Sequence, residues 1–92
     1  MSESISIDLK RAAIALAEQL DYARAAEQLN LSPAELRKQV SALETLLCLR
    51  IFKPRQKKVE TTEEGRFLIR FFREAVAFHD RKEKEGRSEP DR

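Results

Sequence analysis

The succession of segments between Asp21 and Gly65 constrains this chain more than any single residue does. It reads DYARAAEQLNLSPAELRKQVSALETLLCLRIFKPRQKKVETTEEG. Two short helical patterns meet there at a tight turn, and a basic, hairpin-like segment follows. The turn is marked by Ser32-Pro33-Ala34-Glu35. Ser at the N-cap, Pro at the first helical position and Glu at the third make a capping box with a pre-set first turn. Such a cap contributes about 1 kcal/mol, so the start of this helix is well specified.

The remaining elements follow from periodicity and caps. A first helix is expected over Ile7 to Gln19, capped by Ser6 or Asp8, with Leu9, Ala13, Ile14, Leu16, Ala17 and Leu20 as its apolar stripe. Asp21 caps a second, Tyr22 to Leu29, which buries Ala25, Ala26 and Leu29 and ends at Asn30 in left-handed geometry. The third runs from Pro33 to about Leu47. Leu36, Val40, Leu43 and Leu47 face inward, and Arg37, Lys38, Ser41 and Thr45 face out. Leu49 to Phe52 reads as a strand and Val59 to Thr61 as its partner, with the intervening KPRQKK as a turn carrying four cations. Thr61 or Thr62 caps a fourth helix from Glu63 to about Lys82, with Thr61 and Glu64 as a second capping box. The order is that of a mainly α winged helix-turn-helix: a three-helix core, a short β-hairpin wing and a long C-terminal linker or dimerisation helix. Residues 1–62 form the winged domain, 63–82 the linker helix, and 83–92 a disordered charged tail.

Charge points to the partner. The net charge is only +2, but from Leu31 to Lys58 seven basic residues (Arg37, Lys38, Arg50, Lys53, Arg55, Lys57, Lys58) meet two acids, Glu35 and Glu44. A basic stripe on a near-neutral protein is an electrostatic footprint for a polyanion, although a solvated basic surface has the same composition. Catalysis is not expected. His79 is the only histidine, Gly65 and Gly86 are the only glycines, and neither a phosphate loop nor a metal-ligand cluster can be assembled. No cofactor is expected. With Cys48 as the only cysteine there is no intrachain disulfide. Neither a leader nor a membrane span is indicated, and the reading is a cytoplasmic protein.

Four of the five phenylalanines, Phe67, Phe71, Phe72 and Phe78, lie in the fourth helix with Leu68, Ile69, Ala75 and Val76. One core needs only part of a helix circumference. The excess argues for a second apolar face against another chain, here a second copy. The alternative is that the aromatics wrap the domain's own core.

The stretch from Asp21 to Gly65 also resembles the N-terminal DNA-binding domain of LysR-type transcriptional regulators. The family pattern runs roughly S-F-T-x-A-A-x-x-L, I-S-Q-P-A-L-S-x-x-I-x-x-L-E, L-G-x-x-L-F-x-R, a basic stretch and L-T-x-A-G. Asp21 and Tyr22 stand at its Ser and Phe, and Ala25, Ala26 and Leu29 match outright. Leu31, Ser32, Leu36, Gln39, Val40, Leu43 and Glu44 follow the second run; Leu47, Ile51, Phe52, Val59, Thr62 and Gly65 follow the rest. Glu35 replaces an Ala, Arg37 a Ser, Cys48 a Gly and Pro54 an Arg. Glu35 therefore serves either the capping box or as an acceptor for cytosine N4. Cys48 puts a side chain where a left-handed residue is needed, at a cost of about 1 kcal/mol.

The resemblance implies a sequence-specific double-stranded DNA-binding regulator acting as a homodimer through an antiparallel fourth helix. Arg37, Lys38 and Ser41 are assigned to the major groove, with Gln39 at the edge of that face. Ser32 and Pro33 sit at a helix start able to hold a phosphate. Lys53, Arg55, Lys57 and Lys58 form the wing, and Arg24 is either a backbone contact or a solvent-exposed residue. Phe67, Leu68, Phe71, Phe72, Ala75, Val76 and Phe78 are assigned to the dimer. The family's effector-binding domain has no counterpart in the 92 residues, so no small-molecule effector site is expected within them; the chain is read as a stand-alone module or as the DNA-binding part of a longer regulator whose remainder senses the ligand. The rival reading is an interaction module that pairs through its fourth helix with a full-length regulator and modulates it.

Overall fold

The computed structural model describes residues 5–88, with side chains to residue 84. Four helices and a hairpin follow one another: α1 (Ile7–Gln19), α2 (Tyr22–Leu29), α3 (Pro33–Leu47), β1 (Phe52–Arg55), β2 (Lys58–Thr61) and α4 (Glu63–Ser88). The architecture is a winged helix-turn-helix with a long C-terminal helix. The expected bounds of the first three helices agree with those observed. Residues 83–88, expected as tail, continue α4. The rest of that expectation, residues 89–92, lies outside the described residues.

Helix starts are fixed by side chains that accept from orphan N–H groups. The Leu9 N–H donates to Ser6 Oγ at 3.2 Å, and the Ala23 and Arg24 N–H groups donate to Asp21 Oδ1. At α3 the capping box is complete. The Glu35 N–H donates to Ser32 Oγ at 3.1 Å, and the Ser32 N–H donates to Glu35 Oε1 at 2.9 Å. Helix ends are closed by left-handed residues. Cys48 takes φ 56°; its N–H donates to Thr45 O, and that of Leu49 to Glu44 O. Asn30, with φ 59°, closes α2 by the same paired bonds, Asn30 to Glu27 O and Leu31 to Ala26 O. Both ends are Schellman motifs. Cys48 therefore keeps the turn that a glycine would serve.

The core is built around α1. Ala12, Ala13, Ala15 and Leu16 are buried against Ala25 and Ala26 of α2, Leu36, Val40 and Leu43 of α3, Ile51 and Phe52, and Ile69 and Phe72 of α4. Small alanines on α1 and α2 let the helices approach closely. Helix α4 packs antiparallel on α1, because Arg11 pairs with Asp80 at 2.7 Å and Glu18 with Arg73 at 3.1 Å.

The first strand of the hairpin departs from expectation by about three residues, while the second, Lys58–Thr61, ends where expected and begins one residue earlier. Strand β1 begins at Phe52, and the turn is Gln56-Lys57, with Gln56 at φ 54°. Phe52 pairs with Thr61 and Pro54 with Val59, antiparallel. The Val59 N–H points away from β1, to Leu20 O at 3.4 Å. Pro54 and Val59 are therefore a non-hydrogen-bonded pair, and the missing N–H of Pro54 costs no ladder bond. The capping box expected at Thr61 and Glu64 does not form, since Thr61 belongs to β2. Thr62 is the cap: the Gly65 N–H donates to Thr62 Oγ1 at 2.9 Å, and Thr62 Oγ1 donates to Arg50 O at 2.6 Å.

Candidate nucleic-acid interface

The α3 side chains divide by helical phase. Leu36, Val40 and Leu43 point into the core, while Lys38, Ser41 and Thr45 stand exposed on the far side. Gln39 is half-buried at the edge. Ser32 and Pro33 are exposed at the start of the helix. The carboxylate of Glu35 is engaged in the cap, which favours the capping reading of that residue over base contact.

Arg37 lies on the flank of α3 that faces the wing. Its guanidinium carbon sits 4.2 Å from the centroid of the Tyr22 ring. Arg37 and Glu44, two turns apart on that flank, line a cleft of about 300 Å³ whose other wall is the wing, with Phe52, Lys53, Lys57 and Lys58. Burial pushes the Tyr22 phenol up from its ordinary pKa, and the Arg37 charge works against that rise.

Glu44 joins the two walls. The Ile51 N–H donates to Glu44 Oε2 at 2.8 Å and the Phe52 N–H at 3.1 Å. Helix α3 thus holds the first residues of the wing by a side chain. Sequence reasoning matched Glu44 to a family position without a role; its signal is an acid two turns before an apolar pair. Gly65 sets the other side of the same corner, for a Cβ there would overlap the Ile51 carbonyl oxygen.

The wing cations are not equivalent. Lys53 and Arg55 both reach Glu60, at 3.4 and 3.3 Å, and Lys58 reaches Asp21 at 3.8 Å. Lys57, at the tip, has no ion pair among the described residues, and neither have Lys38 nor Arg24. All are exposed, so these pairs are individually weak and can be exchanged for phosphates. The backbone N–H groups of Arg24 and Ala23 hold the Asp21 carboxyl below the usual carboxylate range, with Lys58 adding to the effect.

The residues assigned to the dimer divide into three groups. Phe67, Phe71 and Phe78 are 61%, 67% and 55% exposed and share one face of α4, roughly opposite its buried face. Leu68, Ala75 and Val76 are half-buried, and Leu68 packs against the domain. Phe72 must be reassigned: it is 5% exposed and belongs to the core, because its helical phase matches that of Ile69 and Gly65. Arg70 lies 6.0 Å from the Phe67 ring, and Arg81 and Lys82 lie 5.9 Å from that of Phe78.

Among the described residues no group of three His, Cys, Asp or Glu side chains is placed to hold a metal ion. No described helix is long and apolar enough to cross a membrane.

Comparison with known proteins agrees with this geometry. A sequence model of the bacterial regulatory helix-turn-helix proteins of the lysR family matches residues 7–66. No curated protein matches the chain in sequence. Among solved structures, the CbnR_DBD–DNA complex is 24% identical with a TM-score of 0.84, covering 91% of this chain and 97% of that one. The BenM_DBD/benA site 1 DNA complex is 22% identical with a TM-score of 0.84, covering 90% and 93%. An OxyR mutant from Corynebacterium glutamicum is 21% identical with a TM-score of 0.92, covering 99% of this chain and 29% of that one. At such identities the likeness speaks for the fold, and the matched sequence model, spanning more than half of the 92 residues, speaks for the family. The chain belongs to the LysR family of bacterial helix-turn-helix regulators, a family of DNA-binding transcription regulators.

Proposed function

We propose that this chain is a sequence-specific regulator that binds double-stranded DNA as a homodimer. Helix α3 enters the major groove, and the wing rests on the backbone or the minor groove beside it. The observation that carries this reading is the shared wall between the two. The exposed face of α3, with Lys38 and Ser41, and the wing, with Lys57 at its tip, are locked together through Glu44. That arrangement presents a helix and a cationic hairpin to one duplex as a unit. The Ser32 hydroxyl and the Ala34 N–H, the first-turn donor outside the capping box, hold a phosphate at the start of α3, and Arg24 adds a backbone contact from α2. Two of the similar structures, those of CbnR and BenM, are DNA complexes, which supports the same partner here.

The homodimer rests on the exposed row of Phe67, Phe71 and Phe78. An antiparallel pair lets that row of one copy meet the same row of the other. The same row also supports the second reading, a module that pairs with a full-length regulator. DNA binding by the isolated chain separates the two.

The test is affinity for duplex DNA against salt. With about six phosphates neutralised, affinity falls about a thousandfold between 50 and 200 mM salt. Lys57→Ala weakens all sequences alike and flattens the salt slope by about one. Affinity that does not respond to salt contradicts the assignment.

A further inference from the structure

We infer that Tyr22 is a positioning residue for DNA recognition: its ring holds the Arg37 guanidinium as a fixed planar fork in the cleft between α3 and the wing. The inference rests on the DNA-binding reading and extends it to a residue in the preceding helix.

The geometry is specific. The Arg37 guanidinium carbon lies 4.2 Å from the Tyr22 centroid, close enough for face-on stacking. Tyr22 is half-buried at the first position of α2, and α2 is fixed by the Asp21 cap. The platform is therefore rigid, while Arg37 alone is an exposed side chain with many rotamers. Stacking blocks one face of the guanidinium and leaves its N–H donors free in the plane. That fork fits two acceptors side by side, as on a guanine edge or a phosphate. Arg50, Lys53 and Lys58 line the same cleft, so a polyanion entering it meets Arg37 already oriented.

Ordering a long side chain on binding costs about 0.5–1.5 kcal/mol, so pre-stacking raises affinity by roughly two- to tenfold. Lysine has no planar fork and does not stack in this way. Arg37→Lys keeps the charge yet should lose most of what Arg37→Ala loses.

The experiment measures dissociation constants for a duplex enriched from a randomised pool and for a scrambled duplex. The proteins are the wild type and its Tyr22→Phe, Tyr22→Leu, Arg37→Lys, Arg37→Ala and Tyr22→Leu/Arg37→Ala variants. Tyr22→Phe should bind like the wild type, because the ring is kept. Tyr22→Leu should lose roughly two- to tenfold in the Arg37 background and nothing further in the Arg37→Ala background. Loss confined to the enriched duplex assigns the fork to a guanine edge; equal loss on both assigns it to a phosphate. Losses that multiply in the double variant overturn the inference, as does an Arg37→Lys protein that binds like the wild type. Arg37 is exposed, so the lysine variant tests the idea even if Tyr22→Leu is poorly folded. If the wild type retains no DNA, the DNA-binding reading falls as well. If it binds and no coupling is found, only the role of Tyr22 falls.

Discussion

The Glu44 carboxylate accepts the backbone N–H of Ile51 at 2.8 Å, and through that bond α3 holds the wing. The second bond, from the Phe52 N–H at 3.1 Å, ends on the same oxygen. Phe52 pairs with Thr61 without ladder bonds, so its N–H has no acceptor in β2 and turns to Glu44 instead. Removing the carboxylate strands two part-buried donors. Glu44→Ala should destabilise the fold by about 1–3 kcal/mol, read as a lower urea midpoint. Amide exchange at Ile51 and Phe52 should rise more than at Leu36. Glu44→Gln keeps one acceptor oxygen and should lose less.

Phe71 and Phe72 are neighbours in sequence with opposite expected behaviour. Phe72 lies in the core, and its replacement by alanine should cost about 3–5 kcal/mol, a large part of a small domain's stability. Phe71 is 67% exposed, so Phe71→Glu should leave the melting temperature of the monomer nearly unchanged. By the proposed homodimer, it should shift sedimentation from dimer to monomer. A dimer that persists in Phe71→Glu and Phe67→Glu alike argues against pairing through this face.

Glu35 separates capping from base reading. Glu35→Gln preserves an acceptor for the Ser32 N–H, and a capping box tolerates either residue. It should leave both stability and sequence preference in place. Ser32→Ala removes the acceptor of the Glu35 N–H and should cost about 1 kcal/mol in urea unfolding. A changed base preference in Glu35→Gln speaks for contact with cytosine.

Acid should loosen the contact between α4 and α1. The hydrogen bond from Arg11 holds the Asp80 carboxyl below its ordinary pKa, and the Arg11 pKa is raised by the same bond. A carboxyl whose folded pKa lies below its unfolded value favours the folded state when deprotonated. Its contribution is present above the unfolded value of about 3.9 and is lost as pH falls through the lower folded value. Asp80→Asn should therefore flatten the acid limb of stability against pH, measured by urea unfolding. An unchanged acid limb rules out this pair as a contributor.

The parts of the fold written in local signals were legible in the sequence. Ser6, Asp21 and Ser32 announce three helix starts, and Asn30 announces one end, because each cap is satisfied within a few residues. The inward face of α3 follows from spacing alone. The wing was displaced because Leu49 to Phe52 has the composition of a strand, while its N–H groups serve other partners. That of Leu49 closes α3 on Glu44 O, and those of Ile51 and Phe52 go to the Glu44 side chain. No periodicity reports such bonds. Thr61 and Thr62 offer equal capping chemistry, and the strand pairing of Thr61 decides between them. Within the interface, the exposure of Lys38 and Ser41 was legible from the stripe they oppose. The stacking of Arg37 on Tyr22 was not, since it joins two helices across the turn.

The most direct test is selection from a randomised duplex pool at near-physiological salt with this chain alone. The account predicts enrichment of a roughly palindromic site, with half-sites one helical turn or a multiple apart. Retention of no duplex contradicts it.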